Sequence, residues 1–315
     1  MNILVTGGAG FIGRWVVKLL LEKQKNVIII DNLSNGKKEN LAEFKNNHYL
    51  NEILIKDIRN KKAVDKLFKK YSFNTCIHLA AQINVQKSLD FPNRTFETNI
   101  LGTYNILEAC RKYQTKLILI GTCMVYDLAN FNKAIKETHS TRPTSPYAGS
   151  KLATEELALS YYHAFKLPII ILRPFNTYGP FQKTNMEGGV VSIFIYNKLN
   201  NKPLKIFGDG TQTRDFLYVE DCAEFIIKAS ECEECFGEII NCGTGKDISI
   251  NDLAKLIVDK NNMIKHVKHH HPQSEIMKLV CNNTKAKNLL NWKPKTSLKE
   301  GIKKLERWIK NNEMD

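Results

Sequence analysis

Hydrophobic residues recur along this chain in short runs that alternate with longer stretches of helical spacing. Apolar runs at residues 3–5, 27–30, 53–56, 76–79, 117–120 and 169–172 have the length and β-branched content of strands. Phe11, Ile12, Trp15, Val16, Leu19 and Leu20 follow the first run three and four apart, and residues 63–70 form an amphipathic stretch after the third. Ile100, Tyr104, Leu107 and Cys110 mark residues 96–113 as a helix after the fourth. Ser145-Pro146, beyond the fifth, is a helix start: a serine N-cap followed by proline as first helical residue. Such alternation predicts an α/β fold with a doubly wound parallel sheet, whose ligands gather at the C-terminal ends of the strands.

After the run at 169–172 the alternation stops at Arg173-Pro174-Phe175-Asn176-Thr177-Tyr178-Gly179-Pro180, and helical and extended segments interleave irregularly. The expected division is therefore residues 1–175 as a nucleotide-binding Rossmann unit and 176–315 as a smaller, mainly substrate-binding part, with the chain free to cross between them. A final amphipathic helix at 298–309 is expected to pack on that second part.

Candidate chemistry sits at the strand ends. The first run leads through Thr6 into glycines at 7, 8, 10 and 13. Gly7 and Gly10 let backbone approach a pyrophosphate, Gly13 lets the following helix lie close, and that helix, opening at Phe11 and Ile12, aims free N–H groups at the anion. Asp31 ends the second run about twenty residues on, where an acidic side chain holds an adenosine ribose. Asn32, Ser34, Asn35 and Gly36 follow in a turn that would border the same ribose, and Asp57 and Ile58 end the third run near the adenine. Lys37 and Lys38 invite a 2′-phosphate, but Asp31 repels one, so NAD is expected rather than NADP. Leu79, Ala80 and Ala81, small residues ahead of Gln82, permit another close approach.

Beyond the fifth run lie Thr122 and Cys123, and the helix starting at Ser145 carries Tyr147 and Lys151 one turn apart on one face. A tyrosine of ordinary pKa near 10 becomes a usable base when a lysine ammonium, a helix N-terminus and a cationic nicotinamide favour its phenolate. Tyr162 and Lys166 repeat the spacing far from any strand end and are read as structural. Arg214, beside the Gly208-Asp209-Gly210 turn, suits a diphosphate.

Composition changes this picture little. The 315 residues are 43% hydrophobic and 25% charged, ordinary for a globular protein. The net charge of +14 is spread thinly over helix surfaces with no long basic tract, so no nucleic-acid partner is expected. No run reaches the roughly 18 apolar residues of a membrane span, and the chain enters a strand without a basic leader. Eight scattered cysteines suggest reduced thiols and a cytoplasmic setting. His266 and His269 to His271 lack a suitably spaced cysteine or aspartate, and Cys232 and Cys235 lack a second pair, so no metal is expected.

Taken together, GGAGFIG, DNLSNG, HLAAQ, TNILGTYNILEAC, SPYAGSKLATE, RPFNTYGP, FGDGTQTRDFLYVEDCA, NCGTG and NWKPKTSLKEGIKK resemble, in order and over nearly the whole chain, the extended short-chain dehydrogenase/reductase family of NAD-dependent nucleotide-sugar epimerases and dehydratases. The resemblance implies that NAD takes a hydride from the sugar, usually at C4, and returns it. It implies Tyr147 as base, Lys151 on the nicotinamide ribose, Thr122 on the reacting hydroxyl, Asn99 as the interior asparagine of the cofactor site, and Gln82, Asn176 and Arg214 toward the sugar nucleotide. A homodimer through the helices of Tyr104 and Leu152 is implied as well.

Departures from the family pattern narrow the chemistry. Members that eliminate water carry Asp and Glu after the Ser/Thr, where this chain has Cys123 and Met124. A UDP-hexose 4-epimerase needs neither carboxylate and is the first expectation. The alternatives are a dehydratase using Cys123 as acid or base, and a silent NAD-binding regulator; Cys123 is otherwise a small buried residue. Arg14 replaces a common serine and would meet a cofactor phosphate or solvent. Glu275 stands where relatives have a ribose-binding acid, but Pro272 replaces its arginine partner, which leaves the base, UDP being commonest, undetermined.

Overall fold

The computed structural model describes residues 1–127, 133–185, 189–258, 261–268 and 276–312. Seven parallel strands form the central sheet: β1 (Asn2–Thr6), β2 (Asn26–Asp31), β3 (Leu50–Ile55), β4 (Thr75–His78), β5 (Lys116–Ile120), β6 (Ile169–Pro174) and, far along the chain, β11 (Ile239–Cys242). Their order is β11-β6-β5-β4-β1-β2-β3. The reversal between β1 and β4 is the switch point at which doubly wound sheets bind ligands. Alternate side chains of each strand feed opposite cores, as Ile3 and Val5 do on one face and Leu4 on the other.

One face is covered by α1 (Phe11–Glu22) and α8 (Val219–Glu231), the other by α2 (Lys61–Tyr71), α5 (Gly102–Lys112) and α6 (Pro146–Phe165). The short helices α3 (Val85–Asp90) and α4 (Pro92–Phe96) precede α5. The helix expected over 96–113 runs on unbroken from α4 into α5, but residues Glu97–Leu101 within it form a π-turn. Widening the helix there accommodates Asn99, which is buried and bonded sideways to other elements rather than along its own.

The second layer holds β7 (Asn176–Tyr178) paired with β10 (Phe216–Tyr218), β8 (Leu204–Phe207) paired with β13 (Ile264–Val267), and β9 (Thr213–Arg214) between β12 (Ile248–Ser249) and β14 (Lys278–Leu279). Around them lie α7 (Val190–Leu199), α9 (Ile250–Ile257), α10 (Thr284–Leu290) and α11 (Leu298–Asn312). Phe194, Ile195, Leu253, Leu305 and Ile309 give α7, α9 and α11 a common core. The chain returns to the first layer at 219–242: α8 packs beside α1 and β11 pairs with β6. The expected division left the chain free to cross between the parts, and the structure locates that crossing at 219–242.

Candidate active site

The C-terminal ends of β1, β2, β4, β5 and β6 open onto one cavity of about 600 Å³ that continues under the second layer. At its first end, Gly7 adopts φ +71°, and a Cβ there would stand 2.8 Å from Ala80 N. A Cβ on Gly13 would meet Gly7 O at 2.1 Å, so the helix can approach the strand only without one. Gly10, Phe11 and Ile12 complete a wall of backbone at the start of α1. Asp31 accepts from Ala9 N at 3.0 Å and Leu33 N at 2.8 Å, one bond to each oxygen, which leaves acceptor capacity for a diol. Burial raises its pKa, and the two N–H donors oppose that shift. Asn32, Ser34, Asn35 and Gly36 line the same end, as does Ile58.

Three expected contacts stand behind the wall rather than in it. Asp57 receives Asn32 Nδ2 at 2.8 Å and pairs with Arg59, tying the end of β2 to the segment after β3. Asn99 accepts from Gln82 N at 2.7 Å and donates to Gln82 O and Ser150 Oγ at 3.0 and 2.8 Å. It thus fixes the HLAAQ segment against α6. The Gln82 side chain turns to Thr95 Oγ1 at 2.8 Å and not to the cavity, whereas Leu79, Ala80 and Ala81 are cavity lining. Glu275 and His269 to His271 lie outside the described residues. Arg14 meets neither phosphate nor solvent: it is 2% exposed and stacked among aromatic rings.

The reacting end is built by α6 and the end of β5. Ser145 Oγ caps α6 by accepting from Ala148 N at 3.2 Å, which sets Tyr147 in the first turn and Lys151 one turn later. Both face the cavity. Lys151 Nζ donates to Ile120 O, so the ammonium is anchored to the strand end. Burial pushes the Tyr147 phenol up to about 12, against a hydrogen bond with Thr122, and pulls Lys151 down to about 8, against the field of Glu155. A cation in the cavity would counter the first shift, which fits an oxidised nicotinamide. Thr122 caps the short turn Cys123–Val125 by accepting from Met124 N at 3.2 Å. Cys123 is buried beside it, its thiol pushed up to about 12 by desolvation.

Asn176 and Arg214 reach the cavity from β7 and β9. Arg214 is oriented by donating to Thr213 O and Ile276 O at 2.8 and 2.7 Å. Tyr162 and Lys166 do not line it; Lys166 instead ends α6 at φ +54°, its N–H on Tyr162 O at 3.0 Å.

Two parts of the site had no sequence expectation. Glu155 and Arg173 form a buried ion pair at 2.6 Å beside Gly121, just before the Thr122 turn, with Arg173 4.7 Å from the Tyr126 ring. The position of Glu155, four residues after Lys151 on the same face of α6, was the available signal. The far wall, with Phe194, Ile206, Gln212, Phe216 and Ile250, draws on α7, β8, β10 and α9 and carried no spacing pattern to find it by.

A seven-stranded Rossmann sheet with this glycine turn, a cofactor-side aspartate and a buried Tyr/Lys pair defines a dinucleotide-binding enzyme of the short-chain dehydrogenase/reductase type. The sequence profile of the family described as GDP-mannose 4,6 dehydratase matches residues 4–305, and the chain belongs to this family of NAD-dependent nucleotide-sugar epimerases and dehydratases. The structure is similar to Pal from Bacillus thuringiensis, with 56% identity, TM-score 0.97 and 99% of each chain covered. UDP-glucose 4-epimerase of Thermotoga maritima, solved with UDP-glucose, is 35% identical with TM-score 0.92 over 99% of each chain. dTDP-glucose 4,6-dehydratase of Bacillus anthracis, solved with NAD, is 28% identical with TM-score 0.90 over 99% of this chain and 97% of that one.

Proposed function

We propose that the protein is a UDP-hexose 4-epimerase that uses NAD. The observation that carries this reading is the absence of acid from the reacting end: among the described residues lining the cavity, the sole carboxylate is Asp31, at the ribose end. Elimination across C5 and C6 needs a second acid–base pair beside Tyr147, and Cys123 and Met124 occupy the places where family members carry it. With its thiol held near 12, Cys123 is a poor base at neutral pH.

The glycine turn, Asp31 and Lys151 would hold NAD, which when bound would supply reversible hydride transfer at C4. Tyr147 takes the proton of the C4 hydroxyl and returns it to that same oxygen once the keto sugar has turned and C4 is reduced on its other face. Thr122 hydrogen-bonds that oxygen, and Lys151 keeps positive charge beside the phenolate. Asn176 and Arg214 would orient the diphosphate. A homodimer is part of the proposal: Leu101 in the π-turn, Tyr104 in the first turn of α5 and Phe165 at the end of α6 are exposed apolar side chains on or beside the two helices it would use.

The test is proton NMR of UDP-glucose, UDP-N-acetylglucosamine, UDP-glucuronate and dTDP-glucose incubated with the protein in deuterated water. Inversion at C4 without solvent deuterium supports the epimerase. Deuterium on carbon with a keto-deoxy or unsaturated product overturns it in favour of a dehydratase using Cys123, and no turnover at all favours a silent NAD-binding protein.

A further inference from the structure

Arg14, the residue that departs from the family pattern just after the last glycine, is enclosed at a junction between the two layers. Its guanidinium carbon lies 4.0 Å from the ring centroid of Phe181, 4.6 Å from Trp15 and 5.1 Å from Phe44. Nε donates to Asn40 O at 3.2 Å, and the remaining charge pairs with Glu43. Asn40 in turn donates to Ala9 O at 2.8 Å, inside the glycine turn.

On the other side, Phe181 packs on Trp308 of α11 at 4.8 Å, and Trp15 Nε1 donates to Pro180 O at 3.3 Å. Phe181 holds φ +70°, a region a bulky side chain adopts only when its surroundings impose it. The turn so strained delivers Gln182, which bonds Thr177 O at 3.1 Å and accepts from Ser192 Oγ at 2.6 Å. Gln182 and Thr177 both line the substrate half of the cavity. A desolvated cation stacked on an aromatic face offsets such strain.

We propose that Arg14 is a positioning residue for nucleotide-sugar binding: stacked on Phe181, it latches the 179–182 turn to α1 and so fixes the wall of the substrate site relative to the cofactor turn. The ligand class rests on the function proposed above. A planar guanidinium matters here, because it stacks and donates sideways at once, which an ammonium does not.

The experiment compares wild type with Arg14→Ser, Arg14→Lys and Phe181→Ala by hydrogen exchange over residues 179–185, NAD content and calorimetric affinity for UDP. In Arg14→Ser the exchange is expected to accelerate at least tenfold and the UDP Kd to rise at least tenfold, with NAD content unchanged. Arg14→Lys should stay within threefold of Arg14→Ser, and Phe181→Ala should reproduce both changes even if the Arg14 variants fold poorly. Unchanged exchange, loss of UDP affinity only together with NAD, or full function in Arg14→Lys overturns the latch. A wild-type protein that binds none of UDP, dTDP and GDP overturns the nucleotide-sugar reading instead, and the exchange measurement then decides the latch by itself.

Discussion

Burial, and not only spacing, bears on the roles proposed for Tyr147 and Lys151. The unperturbed groups titrate near 10 and 10.4, and the protein moves them apart from those values in opposite directions, the phenol up and the ammonium down. Tyr147→Phe is therefore expected to lower kcat by about 10²–10⁴-fold with NAD retained, read by turnover and by absorbance of released cofactor. Lys151→Met removes the cation one helical turn along α6 from Tyr147, so in the proposed mechanism the phenol should hold its proton more tightly. The rise of kcat with pH should then move to higher pH, and an unmoved profile would mean that Lys151 only anchors to Ile120 O. Cys123→Ala separates the two chemistries: a 4-epimerase should keep kcat within a few-fold of wild type, whereas a dehydratase relying on the thiol should not.

At the level of elements, the β1-α1 turn was legible because its constraint is local: a Cβ at residue 13 collides with the carbonyl of residue 7, whatever the rest of the chain does. Gly13→Ala should force the turn open, abolish NAD retention and lower Tm by several degrees. The π-turn was not legible. It exists because Asn99 must reach Gln82 and Ser150, partners 17 and 51 residues away, and helical periodicity contains no record of them. His78 was read only as the end of a strand. It is buried between Thr6 Oγ1 and Thr103 Oγ1 at 2.7 and 2.9 Å, and burial, together with the charge of Lys151, pulls its pKa down to about 3. Between pH 6.5 and 3 the unfolded chain then binds a proton at this histidine that the native chain refuses, so stability falls as pH drops through that window. The slope from this group is about 1.4 kcal/mol per pH unit. Urea unfolding at several pH values should show that component in the wild type and not in His78→Gln.

For the whole molecule, two surfaces matter. The cavity spans both layers, so no single layer contains the site. Exposed apolar side chains near α5 and α6 are the other surface: Leu101, in the π-turn before α5, is 54% exposed, as is Phe165 at the end of α6. If a second copy covers them, Leu101→Asp should shift the sedimentation coefficient from dimer to monomer, and a wild type that sediments as monomer would refute the dimer. Among the described residues no helix is long and apolar enough to cross a membrane, and none cluster as a metal site.

What the sequence alone determined was whatever depends on neighbours in the chain: six strands of the central sheet, the glycine turn, the capped helix with Tyr147 and Lys151, and the position of Asp31 at a strand end. These follow from backbone sterics, capping and periodicity, which act over a few residues. Tertiary structure decided the seventh strand, the Glu155–Arg173 pair, the turning of Gln82 away from the cavity and the enclosure of Arg14. Each of those depends on desolvation by, or bonding to, residues distant in sequence. A charged side chain that reads as a surface or phosphate ligand becomes a core element only when rings from two other segments join its helix neighbour's to close around it.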